Sequence, residues 1–453
     1  MRPIRACLVA AALLIVFSGC VSTPPEDATL LNDPSLPQNE VMPSKDLPEQ
    51  APRLTSKSTL NDYLIYAALN NPGLKAAFLK WVAALEKIPQ VTALPDPQLG
   101  YMYYVQEGVM APQRQGIALT QTFPWFGKLK LKGNAAAAAA RAEKARYDAA
   151  QLKLFFEVKD AYYEYYYLAR AIAVTKENLG YVKYLESVAR AGYASGIITY
   201  ADVVQAQVEL GKLEDGLKTL EDEAEPVAAK LNAALNRPAD APLFWPAKIE
   251  EEKVSFTTNQ LLTWLKHSNP DLRAIDFQAR GAKSKIDLAR KDYYPDVTLG
   301  IQGFDTGRQF VPNDPVMATA SINVPIWWSK YRAEEREARA NYEAFLRQRS
   351  DSENTLVADV KFADYKFKDA DRKIALYRGA LIPEAKQALE VSLQAYQTGK
   401  ATYANVVDAI RNLLEFELSY ERALTNREQN LAKLEMLVGR PLVNKGKTRR
   451  PKS

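Results

Sequence analysis

Two stretches of this chain lack proline for so long that a single compact globule is excluded. No proline occurs between Pro124 and Pro226, and this stretch contains the alanine run 135–140. Strong helix formers predict about 60 residues of continuous helix there, about 90 Å at 1.5 Å per residue. A second helix is predicted over 327–382, with a kink at Pro383. Helices this long need lateral partners along their length, as in coiled coils or helical barrels.

The chain also repeats itself with an offset of about 200 residues. The pattern Tyr-x-x-Gly-x-x-Thr-Tyr-x-x-Val-Val begins at Tyr193 and again at Tyr396, and Asn-Pro-x-Leu begins at Asn71 and again at Asn269. We therefore predict two tandem repeats, 57–245 and 246–442. Each is expected to contain a helix, two strands, a very long helix, a tight turn and a further helix.

Four segments alternate apolar with small or polar residues, which predicts strands at about 98–107, 115–123, 296–304 and 316–325. Strands of this length with one apolar face are typical of a membrane barrel, with lipid outside and water inside. Two soluble hairpins on a helical core are the alternative. Four strands cannot close a transmembrane barrel, so in the membrane several chains must contribute strands to one barrel.

The N-terminus has the three-part layout of a secretory signal peptide over 1–19: arginines, a short apolar run and small residues before Cys20. Cys20 resembles a lipobox cysteine, which predicts lipidation there, although Phe17 stands where Leu is usual. A cleaved signal with an incidental cysteine is the alternative. The Pro-rich segment 20–56 is interpreted as a tether.

The net charge of +5 does not indicate nucleic-acid binding. Two of the positive charges lie in the signal peptide and five in a C-terminal tail, 443–453, so without these seven the net charge is −2. A basic tail after the last helix is usually a solvated end. Nucleic acid is therefore not a predicted partner.

Catalytic and cofactor signatures are missing from the sequence. The only histidine, His267, precedes Asn-Pro at a predicted helix end, where solvent exposure is expected. There is no His or Cys cluster for a metal and no Gly-rich phosphate loop. The tyrosine-rich run 162–167 is interpreted as packing between helices. No enzyme activity, metal or cofactor is predicted.

With its duplicated units, its turn at 121–127 and its twin tyrosine motifs, the chain resembles the TolC-type outer-membrane efflux family from about Thr59 to Leu442. The resemblance implies a mainly α fold with a small β part. It also implies a homotrimer whose twelve-stranded β-barrel lies among the outer-membrane lipids and continues into the periplasm as an α-helical barrel. The expected location is the outer membrane, with a lipid anchor.

The resemblance further implies partners and site residues. The twin turns would meet a periplasmic adaptor (membrane fusion) protein of an inner-membrane pump, and both turns are also structural αα-hairpins. The residues expected at this contact are Gly196, Thr199, Asp202, Gly399, Thr402 and Asn405.

A periplasmic gate is expected at Tyr396 and Asp408, because acidic rings narrow the aperture in the family. Asn405 stands where a second Asp can occur, and Ala401 replaces an Arg that helps to latch some members. Three symmetry-related Asp408 carboxylates would favour cations. A solvated helix face is the alternative for Asp408.

The function implied is passive conduction through the exit duct of a tripartite efflux system. The turn at 121–128 is most similar to members that serve heavy-metal pumps of the resistance-nodulation-division type. Drug efflux or type I protein secretion would use nearly the same duct. A non-conducting coiled-coil envelope lipoprotein is the alternative from another class, and the alternating strands argue against it.

Overall fold

The computed structural model describes residues 51–105, 115–246, 249, 254–305 and 315–442. Cys20, the signal peptide, most of the tether and the basic tail lie outside these residues. The described part is mainly helical with one small sheet, which confirms the predicted fold class. No helix within it has both the length and the apolar character needed to cross a bilayer.

Each half of the chain contributes the same kinds of element in the same order. The first half contains α1 (Leu60–Asn70), α2 (Pro72–Thr92), β1 (Gln98–Tyr103), β2 (Gln115–Phe123), α3 (Lys128–Ala194) and α4 (Tyr200–Ala234). The second half contains α5 (Thr258–Ser268), α6 (Pro270–Lys291), β3 (Val297–Asp305), β4 (Val316–Ile322), α7 (Trp328–Leu376), α8 (Ile382–Gln397) and α9 (Tyr403–Val438). The 67 residues of α3 confirm the first predicted long helix.

The second long helix is interrupted just before Pro383. A five-residue π-helical segment, Tyr377–Leu381, separates α7 from α8. Proline has no N–H to bond the carbonyl four residues earlier, and its ring crowds that carbonyl, here the one of Gly379. One widened turn accommodates both effects, so the irregularity predicted at Pro383 is a π-helical turn.

The four strands form one antiparallel sheet in the order β1-β2-β3-β4. Two of the strands end earlier than predicted. β1 ends at Tyr103, which pairs with the first residue of β2, and β4 ends at Ile322, which pairs with the first residue of β3. Just beyond β4, Asn323 N still donates to Asp296 O at 3.4 Å, and Pro325 has no N–H to donate.

The described residues form two compact units, and each unit takes segments from both halves of the sequence. One unit contains the described residues of 78–146 and 272–351, including the sheet. In it, Asp296 Oδ1 accepts hydrogen bonds from Trp125 N at 2.8 Å and from Lys128 Nζ at 2.9 Å. These bonds tie the end of β2 to the start of β3.

The other unit contains the described residues of 44–77, 147–271 and 352–453, including both glycine turns. Tyr162, Tyr165 and Tyr166 are buried, and Tyr63 and Tyr162 pack edge to face at 5.3 Å between ring centroids. This confirms the packing role predicted for the tyrosine-rich run. His267 is exposed, as predicted.

Candidate functional site

The turn between α3 and α4 depends on a glycine in the left-handed region. Gly196 has φ +75°, a conformation that L side chains rarely adopt. Its N–H donates to Tyr193 O at 3.0 Å, and Ile197 N donates to Gly192 O at 2.9 Å. These bonds satisfy carbonyls that the helix end would leave without a donor. The sequence therefore ends α3 sharply.

The next helix starts at a capping box. Thr199 Oγ1 accepts from Asp202 N at 3.3 Å, and the Asp202 carboxylate accepts from Thr199 N at 3.3 Å. The reciprocal bonds satisfy two backbone donors at the start of α4. Gly196 and Thr199 are exposed and Asp202 is half-buried in the first turn of α4, so the three residues lie close together at this turn.

The turn between α8 and α9 repeats this geometry. Gly399 has φ +71°, and its N–H donates to Tyr396 O at 3.0 Å. Thr402 Oγ1 accepts from Asn405 N at 3.4 Å, and Asn405 Oδ1 accepts from Thr402 N at 3.0 Å. An amide oxygen can accept this bond as a carboxylate does, so Asn405 preserves the cap. It carries no negative charge, unlike Asp202 at the equivalent position of the first turn.

Thr402→Ala should destabilise the start of α9. Loss of an N-cap side chain costs about 1 kcal/mol, so we expect a lower thermal unfolding midpoint. Circular dichroism of the purified protein measures the change. Thr398→Ala is a matched control, because Thr398 bonds only to carbonyls at the end of α8. Equal midpoints for the two variants would contradict the capping role.

One apolar cluster joins the two turns. Val203 and Ala206 from α4 pack in it with Tyr396, Tyr403 and Val406 from the second turn and α9. Burial, reinforced by the nearby Asp202 carboxylate, raises the pKa of Tyr396. Burial also raises the pKa of Tyr403. Both phenols therefore stay neutral at physiological pH. Because the apolar cluster contains residues of both turns, the two turns form one element, called the tip below.

An ion pair also joins the two helices that leave the tip. Arg411 of α9 donates through Nε to Glu209 Oε1 of α4 at 2.9 Å and through Nη2 to Glu209 Oε2. The hydrogen bond from Arg411 lowers the pKa of Glu209. Arg411 Nη1 also lies 3.7 Å from Asp408 Oδ1. We call the Glu209–Arg411 pair the clasp.

The two predicted gate residues have different environments. Tyr396 is buried in the apolar cluster, whereas the Asp408 side chain is 69% exposed and faces the clasp. The sequence prediction missed both clasp residues. One signal was present: Glu209 lies ten residues after Thr199, and Arg411 lies nine after Thr402. Residues of opposite charge that follow equivalent helix caps by nearly the same number of positions are candidates for an ion pair.

The first turn also exposes apolar side chains that the sequence prediction did not select. Ile197 is 75% exposed and Tyr200 is 64% exposed, and the rings of Tyr193 and Tyr200 lie 5.5 Å apart. In the second turn, by contrast, Tyr396 and Tyr403 are buried. The two turns therefore share a backbone but present different surfaces. Among the described residues, no group of His, Cys, Asp and Glu could hold a metal ion.

A model of the outer membrane efflux protein family matches residues 64–237 and 261–440, which is most of the chain and one segment in each half. The chain belongs to this family. Membership in the outer membrane efflux protein family confirms the predicted outer-membrane location. The family and its fold are those of efflux proteins and channels rather than of enzymes.

Curated relatives and solved structures agree with this assignment. The pyoverdine export outer membrane protein OpmQ of Pseudomonas putida is 23% identical over 58% of this chain, and toxin and drug export protein A of Aggregatibacter actinomycetemcomitans is 25% identical over 39%. The alignments span 57% and 38% of those relatives. The curated matches thus cover only part of each protein.

Similarity to solved structures extends over nearly the whole fold. The outer membrane protein VceC of Vibrio cholerae is 20% identical, with a TM-score of 0.71 over 84% of this chain and 96% of VceC. The outer-membrane channel OprN is 17% identical, with a TM-score of 0.73 over 88% of this chain and 99% of OprN. At these identities the comparison establishes the fold.

Proposed function

We propose that three copies of this chain form the exit duct of a tripartite efflux system in the outer membrane. The observation that carries the proposal is an open four-stranded sheet whose edge strands, among the described residues, have no neighbour on one side. On β1, Leu99, Tyr101 and Tyr103 are 65–76% exposed. Unpaired strand edges in lipid cost several kcal/mol for each backbone group, so the sheet needs further copies to close.

The test is whether the purified full-length protein forms trimers and pores. We expect three chains per particle by light scattering in detergent, and stepwise conductance after insertion into planar bilayers. A monomer that leaves bilayers sealed would contradict the duct. It would favour the non-conducting envelope lipoprotein instead.

The tip is the proposed docking site for the periplasmic adaptor, through Gly196, Thr199, Asp202, Gly399, Thr402 and Asn405. Two observations support this role. The two glycines and the two capping threonines are exposed, both following helices begin at capping boxes, and Ile197 and Tyr200 add apolar surface beside them. Apolar and aromatic residues of this kind are typical of the centres of protein interfaces.

Asp408 is proposed to lie at the periplasmic gate with Tyr396 close by. The exposed Asp408 carboxylate is available to a pore, and Tyr396 holds the turn in position from inside the apolar cluster. Asp408→Ala should lower the cation-to-anion permeability ratio, because three carboxylates disappear from one constriction. Reversal potentials in a salt gradient measure this. Glu214→Ala, also on an exposed helix surface, should leave the ratio unchanged.

Anchoring and substrate complete the proposal. Cys20 would carry the lipid, which mass spectrometry of the mature N-terminus tests directly. An inner-membrane pump of the resistance-nodulation-division type would supply substrate and energy. Metal cations, predicted from the 121–128 turn, are one candidate substrate class. The other comprises compounds such as the pyoverdine, toxins and drugs in the names of the relatives. Metal and drug sensitivity of a deletion strain distinguishes the two.

A further inference from the structure

The two β-hairpins are equivalent residue for residue. In the first hairpin, Leu99 of β1 pairs with Leu119 of β2. Adding 200 to the β1 number and 201 to the β2 number gives Leu299 and Ala320, which pair in the second hairpin. The same shift converts every pair of the first hairpin into a pair of the second. The sequence repeat is therefore preserved in the strand register.

The junction between the two hairpins is also observed, because β2 pairs with β3. Leu119 lies opposite Ile301, and Ile117 lies opposite Gly303. Within the described part of the chain, the outer edges of β1 and β4 have no such neighbour. By the repeat, β4 is the equivalent of β2, and β1 is the equivalent of β3. A second copy could thus continue the sheet by the same junction.

We propose that β4 of one copy pairs with β1 of the next copy in the register of the β2–β3 junction. This places Ala320 opposite Tyr101 of the next copy and Ala318 opposite Tyr103 of the next copy. We call this junction between copies the seam. The inference rests on the proposed multi-chain duct, and it adds which residues of neighbouring copies meet.

Side-chain size supports this register. Tyr101 and Tyr103 are 65% and 68% exposed, and the alanines proposed opposite them leave room for two rings. A slip of two residues would place Tyr101 opposite Ile322 in one direction, or Tyr103 opposite Val316 in the other. A slip of one residue would turn the apolar face of β4 to the other side of the sheet. Among the registers that keep the apolar face of β4 on the same side, only the proposed one places a small residue opposite both tyrosines.

Barrel geometry gives an independent check against one of these two-residue slips. Tyr101 lies opposite Ile117, Ile117 opposite Gly303, and Gly303 opposite Val316. Across the seam, Val316 would lie opposite Val105 of the next copy. The position therefore shifts from residue 101 to residue 105 over four strands. With about 3.3 Å per residue and 4.8 Å between strands, this four-residue shift over four strands corresponds to a tilt of about 35°. Transmembrane barrels have tilts of about 35–45°. The slip that brings Val316 opposite Tyr103 would lower the tilt to about 20°.

Cysteine cross-linking of the full-length protein in membranes tests the seam. The variant Tyr101→Cys/Ala320→Cys should form disulfides between chains, because directly opposite Cα atoms lie within the 4.4–6.8 Å that a disulfide spans. After oxidation with copper phenanthroline, non-reducing gels should show covalent dimers and trimers. The shifted pair Tyr101→Cys/Ile322→Cys should give at least about ten-fold less, because its Cα atoms lie beyond that span.

Control variants make the outcomes distinct. The single-cysteine variants and the parent chain report any background cross-linking. Tyr103→Cys/Ala318→Cys samples the same register if the first pair assembles poorly. Native trimers that cross-link equally well or better through the shifted pair, or through none of the pairs, would overturn the seam. Monomers in every variant and in the parent chain would instead overturn the proposed duct.

Discussion

Replacing Arg411 with alanine is expected to favour the open state of the proposed duct, in which α4 and α9 would separate near the tip. The clasp joins α4 to α9 just beyond the tip, and its removal leaves the apolar cluster and Tyr396 in place. Arg411 is about half exposed, so one clasp contributes only about 0.5–1 kcal/mol. Three clasps acting together would contribute about 1.5–3 kcal/mol, which is about 10- to 160-fold in the ratio of open to closed channels.

Single-channel recording measures the open probability directly, and sensitivity of cells to large antibiotics reports the same change in vivo. Arg190→Ala is a matched control, because the Arg190–Glu186 pair lies within α3 and joins no two helices. The charge swap Glu209→Arg/Arg411→Glu should restore closure. A swap that gates like the single alanine variant would show that the clasp is not the restraint.

The clasp also predicts a pH dependence. Arg411 lowers the pKa of Glu209, so the charged pair stabilises the joined arrangement of α4 and α9 above the ordinary Glu value of 4.5. This contribution is lost as the pH falls through the lowered pKa, where the carboxylate becomes protonated. Open probability should therefore rise below about pH 4.5 in the parent chain. In Glu209→Gln it should change less, because that side chain cannot titrate.

Sequence reasoning succeeded where the physical cause is local. Gly196 and Gly399 end their helices because the left-handed backbone is accessible to glycine, and Thr199 and Thr402 start the next helices by bonding three residues ahead. The long helix α3 follows from the absence of proline and the alanine run. All of these depend on residues close in sequence.

Features that depend on distant neighbours were not predicted. The end of β4 depends on where its partner β3 begins, at Val297, so the alternation pattern extended too far. The clasp joins residues 202 positions apart in the chain. Pro383 indicated an irregular helix, but the π-helical turn depends on which carbonyls find donors around it. Burial of Tyr396 likewise depends on α4, which the motif alone does not reveal.

The tip glycines provide the other large expected effect, loss of adaptor binding without loss of the duct. In Gly196→Leu/Gly399→Leu, an added Cβ meets no atom within 4 Å at either position, so the chain itself has room for the side chains. Each leucine must adopt positive φ, a local strain of about 1–2 kcal/mol. The leucines would project from the surface proposed for docking, and trimers should persist.

Adaptor cross-linking in cells should then fall at least ten-fold, because losing a central interface contact costs about 1.4 kcal/mol or more. Asn tolerates positive φ, so Gly196→Asn/Gly399→Asn separates backbone strain from bulk and should retain most binding. Gly211→Leu, on α4 with nothing within 4 Å, controls for an added leucine elsewhere. Intact trimers that still cross-link fully in the double leucine variant would mean that the adaptor docks away from the glycine turns. The exposed residues Ile197 and Tyr200 would then be tested next, since they provide apolar surface that does not require the glycine backbone.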